Sequence, residues 1–164
     1  MNKPLALIAA SMVLFAAPVA AEDWYQLAST SEVIGYGDAE SLMVEDGIAS
    51  ARVMLGLREP MGSEGNIEYL LSSVRFSCSE ARYFVEEVSG LDAARSPVAE
   101  LAGSQEWREI SDGSMNASFR EFACGATSAF PSEDPFADAS RYWAGEPAAL
   151  DSHAYEMAGD FDVG

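Results

Sequence analysis

The stretch Ser111–Gly125 reads SDGSMNASFREFACG, and it decides the fold. Ser114 is a residue type that caps free helix amides, and Asp112 suits the positive end of a helix. Met115, Phe119 and Phe122 then recur at i, i+4 and i+7, an apolar stripe that must pack on something. Gly125 directly follows Cys124, where a left-handed helix stop favours glycine. The pattern predicts one helix, Ser114 to Cys124, ending on one of only two cysteines in the chain.

The surface for that stripe lies upstream, where the period changes to two. Ser41 to Val44 and Ile48 to Leu57 flank Glu45-Asp46-Gly47, and Asp-Gly is a strong hairpin signal. In the second arm Ala49, Ala51, Val53 and Leu55 point one way, and Ser50 and Arg52 the other. Ile67 to Cys78 reads as a long strand with Leu70, Val74, Phe76 and Cys78 on one face and Arg75 and Ser77 on the other. Trp24 to Tyr36 and Ala81 to Val88 are further strands, with Gly35 and Gly37 weakening the end of the first. Arg58 to Asn66, holding Pro60, Gly62 and Gly65, reads as a loop. Ser89 to Gly103 reads as irregular, with one helical turn around Val98 to Leu101. The expected fold is α+β: a curved antiparallel sheet of about five or six strands with a C-terminal helix tethered to one face.

Composition shifts at Gly125. From there to Gly164 the chain is rich in Ala, Ser, Pro and Asp, with eight acidic residues against Arg141 alone. It reads as a low-order acidic tail, within which Pro135 to Trp143 is compatible with a short helix.

The first 21 residues read as a cleaved secretory signal. Lys3 gives a positive start, Leu5 to Ala17 an apolar run, and Val19-Ala20-Ala21 a cleavage site. The run is shorter than the ~20 residues that span a bilayer. Removal leaves 164 − 21 = 143 residues, enough for one domain, so the domain is placed at residues 22–124. The expected location is the periplasm or the exterior. Cys78 and Cys124 then form an even pair in an oxidising compartment, where a disulfide is the default and two buried thiols the alternative.

Charge excludes several functions. The whole chain carries −18; without Lys3 the remainder has eight arginines, no lysine and 8 − 27 = −19. Nucleic acid and anionic lipid are therefore repelled. One histidine, His153, excludes a multi-histidine metal site. Gly35-Tyr36-Gly37 is too short for a dinucleotide loop, and no serine sits in a Gly-x-Ser-x-Gly elbow. Asp134-x-x-x-Asp138 and Asp160-Phe161-Asp162 match no EF-hand loop spacing, so weak, charge-driven calcium association by the tail is the reading left to them rather than a defined site. Carboxylate pairs such as Glu86-Glu87 or Asp38-Glu40 suit glycoside hydrolysis in principle, but solvated surface explains them better among 27 acids. No catalytic residue, metal or cofactor is expected.

Several of these residues together resemble a known family. Trp24, Tyr36-Gly37-Asp38 with Ser41, the Asp46-Gly47 hairpin, Phe76-Ser77-Cys78, Ala81-Arg82-Tyr83, Trp107, Ser111-Asp112-Gly113-Ser114 and Phe122-Ala123-Cys124 follow in that order. This run is similar to the surface-adhesin protein E family of Gram-negative envelope proteins. The resemblance implies a curved sheet with a C-terminal helix clamped by a bridge from Cys78 to Cys124. It also implies a non-enzymatic binding or interaction role in the envelope, with an unknown protein or small ligand as partner. Trp24, Tyr36 and Trp107, the aromatics nearest these motifs, are the candidate ligand-lining residues; core packing is the other reading of all three. A structural or stress-related envelope protein without a tight ligand is the alternative function, and a carboxylate-dependent hydrolase the third.

Overall fold

A computed structural model describes residues 23–126 and 129–145. The leader expected over residues 1–21, together with His153 and Asp160-Phe161-Asp162, lies outside these residues. The element order is β1 (Trp24–Ser29), β2 (Val33–Glu45), β3 (Ile48–Met61), β4 (Ile67–Ser77), β5 (Arg82–Leu91), β6 (Pro97–Ala102), β7 (Arg108–Glu109), α1 (Met115–Ala123), β8 (Phe130–Ser132) and α2 (Pro135–Ala144). The strands form one antiparallel sheet in the order β6-β5-β4-β3-β2-β1-β8, with β7 also pairing β5. This is the expected α+β fold, with eight strands among the described residues rather than five or six.

The hairpin behaves as its sequence dictates. Asp46 and Gly47 both take positive φ, 50° and 77°, which matches the turn to the twist of β2 and β3. The run from Trp24 to Tyr36 is instead two strands. Thr30 makes the break, its hydroxyl accepting from the amides of Glu32 and Val33 at 3.2 and 3.0 Å, a turn without glycine or proline. The helical turn expected around Val98 to Leu101 is corrected to strand β6. A single isolated turn is a costly nucleus, whereas the edge of β5 offers backbone partners from Glu87 to Leu91.

Period two divides the sheet's side chains between two cores. Ala49, Ala51 and Val53 of β3, with Val74 and Phe76 of β4, meet Phe119 and Ala123 of α1. On the opposite face Trp24, Ile34, Tyr36, Met54 and Tyr69 meet Ala139, Phe136 and Trp143 of α2. Gly35 and Gly37 are where α1 presses closest. A Cβ there would come within 2.5 Å of the Phe119 ring and 2.6 Å of the Phe122 ring. Their lack of side chain makes room for the helix.

Helix α1 begins at the expected cap, Ser114 Oγ accepting from the Ala117 amide at 3.3 Å. Cys78 and Cys124 are bonded, with Cα atoms 5.7 Å apart. Arg120 adds a second fastening: its Nε donates to the Ser77 carbonyl at 2.8 Å and its Nη2 to the Cys78 carbonyl at 2.6 Å.

Residues 129–145 of the expected low-order tail are instead built into the fold, while residues 146–164 lie outside the described residues. In the built part β8 extends the sheet beside β1, and α2 covers the face opposite α1. Asp134 caps α2 by accepting from the amides of Phe136 and Ala137, both at 3.1 Å, and Gly145 ends it in the left-handed conformation at φ 74°. The acidic composition hid the apolar side of Phe136, Ala139 and Trp143.

Candidate binding groove

Helix α2 covers only part of its face. It rests on Gly56, Ile34 and Tyr69, where a Cβ on Gly56 would lie 2.6 Å from the Ala139 methyl group. Further along the same face the pairing continues in a polar register. Asp38, Arg52, Ser73 and Glu87 form one row across β2 to β5, and Ser50, Arg75 and Phe84 lie on the next row of that face. Asp38, Arg52, Ser73, Ser50 and Arg75 of these rows line an open groove of about 640 Å³, which Glu86 borders from β5.

Both walls of the groove are irregular. The register of β2 against β3 slips between Asp38 and Met43, and that of β5 against β4 slips between Ser73 and Val74, around Glu86. Such bulges re-aim side chains and recur beside functional sites. In β2 Ser41 stabilises the slip: its Oγ donates to the Asp38 carbonyl at 2.6 Å and accepts from the Arg52 amide at 2.7 Å.

Each of the groove's two arginines lies between a carboxylate and an aromatic ring, Arg52 on a buried aspartate and Arg75 on a half-exposed glutamate. The buried Asp38 carboxylate accepts from Arg52 Nε at 3.0 Å and Nη2 at 2.6 Å, while its other oxygen accepts from the Glu40 amide at 3.1 Å. The Arg52 guanidinium lies 5.6 Å from the centre of the Trp24 ring. Arg75 pairs with Glu86 at 2.8 Å and lies 5.9 Å from the Phe84 ring. Phe84 in turn meets Trp107 edge-on at 4.8 Å, and Arg82, paired with Glu80, lies 5.7 Å from the Trp107 ring. Each guanidinium is thus shared between a carboxylate and an aromatic ring, a double role that lysine's point charge fills poorly.

The charged side chains lining the groove are Asp38, Glu40 and Glu86 against Arg52 and Arg75, a net 2 − 3 = −1. With Ser41 and Ser50 beside them, the lining interleaves hydrogen-bond donors and acceptors. It suits a polar ligand that both gives and takes protons in hydrogen bonds, rather than a bare anion.

The expected ligand-lining aromatics divide. Trp24 is 2 % exposed and Tyr36 0 % exposed; both are core residues packed toward α2, which is the packing reading of each. Among the described residues the Tyr36 hydroxyl has no hydrogen-bond partner, and burial first, then the Asp138 carboxylate, raise it far above the ordinary phenol range. Trp24 reaches the groove by backing Arg52. Trp107, 37 % exposed, stands at the surface beyond Phe84. Asp134 and Asp138 are engaged separately by the protein: Asp134 caps α2 and pairs with Arg95, and Asp138 pairs with Arg141 and accepts from Ser132. Among the described residues no group of three metal-ligating side chains occurs.

Sequence reasoning missed Arg52, Arg75 and their serine neighbours as a site. The signal was present, since Ser50, Arg52 and Arg75 already fell on the polar side of two strands. What it lacked was the register that sets Ser50 opposite Arg75 and Arg52 opposite Ser73. No protein family, curated protein or solved structure matches the chain, so the groove stands on its own geometry.

Proposed function

We propose that the chain is an exported, non-enzymatic binding module of the cell envelope, and that the groove beside α2 is its ligand site. The observation that carries this reading is the paired construction of the groove. Asp38–Arg52–Trp24 and Glu86–Arg75–Phe84 fix two guanidinium groups on neighbouring strands at the slipped stretch of each wall. Preorganised polar groups on a rigid sheet favour recognition of one ligand shape. Two of the groove's carboxylates are engaged by arginine, an arrangement for holding a surface in place rather than for moving protons. Export is supported by the leader-like start of the sequence and by the Cys78–Cys124 bridge, which suits an oxidising compartment. Among the described residues no helix is long and apolar enough to cross a membrane. The order of motifs similar to surface-adhesin protein E points the same way.

The test compares the mature protein with a groove-filled variant, Ser73→Tyr, as baits on envelope extract. A defined set of ligands retained by the parent and lost by the variant, with unchanged melting temperature, is the expected result. Identical retention by both baits removes the groove from the account. No retention by either favours a scaffold without a tight ligand.

A further inference from the structure

The two edges of the sheet differ. At one end β8 is three residues long and holds Pro131, so it offers little to a further strand. At the other end β6 is six residues long and almost wholly exposed, and its outer side pairs with no strand among the described residues. Its proline, Pro97, stands at the first position, and the strand carries no lysine or arginine to blunt the edge.

We propose that β6 accepts, by strand addition, an extended segment of a partner protein in which apolar and cationic residues alternate. Exposed backbone donors and acceptors supply the attachment, and side chains of an added strand must alternate between the two faces. The faces differ in chemistry. Leu101 continues the row Val53–Ser72–Val88, and Ala99 the row Leu55–Leu70–Gly90, so one face presents apolar groups. On the other face Glu100 ends the row Met54–Leu71–Ser89, and Ala102 ends the row Arg52–Ser73–Glu87. Glu100 accepts from the Ser89 hydroxyl at 3.1 Å, and neither Glu100 nor Glu87 pairs with an arginine among the described residues. A neighbouring strand sets its side chains beside Glu100 and Ala102, and a lysine's long stem can cross the small Ala102 toward Glu87. Apolar residues on one side and cations on the other complement the two faces, and the chain's net charge of −18 draws a basic partner while opposing a second copy. The inference stands apart from the groove and does not need it to be occupied.

The probe is a synthetic peptide as long as β6, alternating lysine with valine or leucine, blocked at both ends and N-methylated along one edge to prevent self-stacking. With the full mature protein, millimolar peptide is expected to slow hydrogen exchange at the β6 amides. Glu87→Gln combined with Glu100→Gln is expected to weaken binding about threefold or more, the effect of two exposed ion pairs, and added salt acts in the same direction. A matched peptide with glutamate for lysine is expected not to bind. The proposal is overturned if β6 exchange is unchanged, if affinity ignores both glutamate substitutions, or if the protein alone dimerises through β6 in sedimentation. A groove-filled Ser50→Tyr protein, altered on a row that does not reach β6, should bind this peptide as the parent does, which separates failure of the groove from failure of the edge.

Discussion

Helices α1 and α2 cover opposite faces of one sheet, yet they are fastened by different means. Helix α1 is bonded through Cys124 to the residue following β4 and holds two carbonyls there through Arg120. Helix α2 has no covalent tie; it is seated by close contact over Gly56, by the Asp134 cap and by the Arg95–Asp134 ion pair. The Tyr69 hydroxyl adds a hydrogen bond with Ser140 at 2.9 Å. A face can thus be sealed either by constraining the unfolded chain or by fitting the folded one. Only the first leaves a mark as plain as a cysteine pair.

The largest expected effect breaks the covalent side. Cys78→Ser opens a loop of 124 − 78 + 1 = 47 residues, and chain entropy puts the loss at about 4 kcal/mol. Denaturant melts under oxidising conditions should show it, with hydrogen-exchange protection lost first in α1; equal melts would show that the bridge does no fastening. Arg120→Met comes next. It removes two charge-assisted hydrogen bonds and should cost about 1.5–3 kcal/mol, with α2 exchange unaltered.

Gly56→Val tests the other side. Its Cβ would strike Ala139, and overpacking of this kind costs about 1–3 kcal/mol. Exchange should speed in α2 and stay constant in α1; parallel changes in both would mean that the faces are not independent. Asp134→Ala should cost about 1 kcal/mol through the lost cap.

Asp134 also gives α2 a pH response. Partial burial pushes its carboxyl up, but Arg95 and the amides of Ala137 and Phe136 outweigh that and hold it below the ordinary range. A lowered folded value means stability that is present above the unfolded carboxyl's pKa and lost as pH falls through the folded one. Circular dichroism and α2 exchange on acidification should therefore show a loss that Asp134→Ala lacks, the smallest effect of the series.

How much was legible follows the same division. Helix α1, its Ser114 cap, its Gly125 stop and its bridge were readable because each rests on local residue chemistry. So was the Asp46-Gly47 turn. Helix α2 was compatible with the sequence, but its docking depends on Gly56 lying beneath Ala139, a meeting 83 positions apart in the chain that no local pattern encodes. The glycines at 35 and 37 were read as strand weakeners because their purpose, room for two phenylalanine rings, appears only when α1 is in place. Strand β6 was missed because Val98 to Leu101 alternates poorly, and its partner supplied the order. The groove needed register, which sequence alone left open.

The bridge has a mechanical consequence. It joins positions 46 apart, so tension applied between β1 and α2 would pass across the sulfur atoms and bypass β5, β6, β7 and α1. Roughly 160 Å of extensible contour is thereby withheld at a few ångströms per residue. A stretched molecule would surrender its first strands and its last helix while the shunted segment stayed slack.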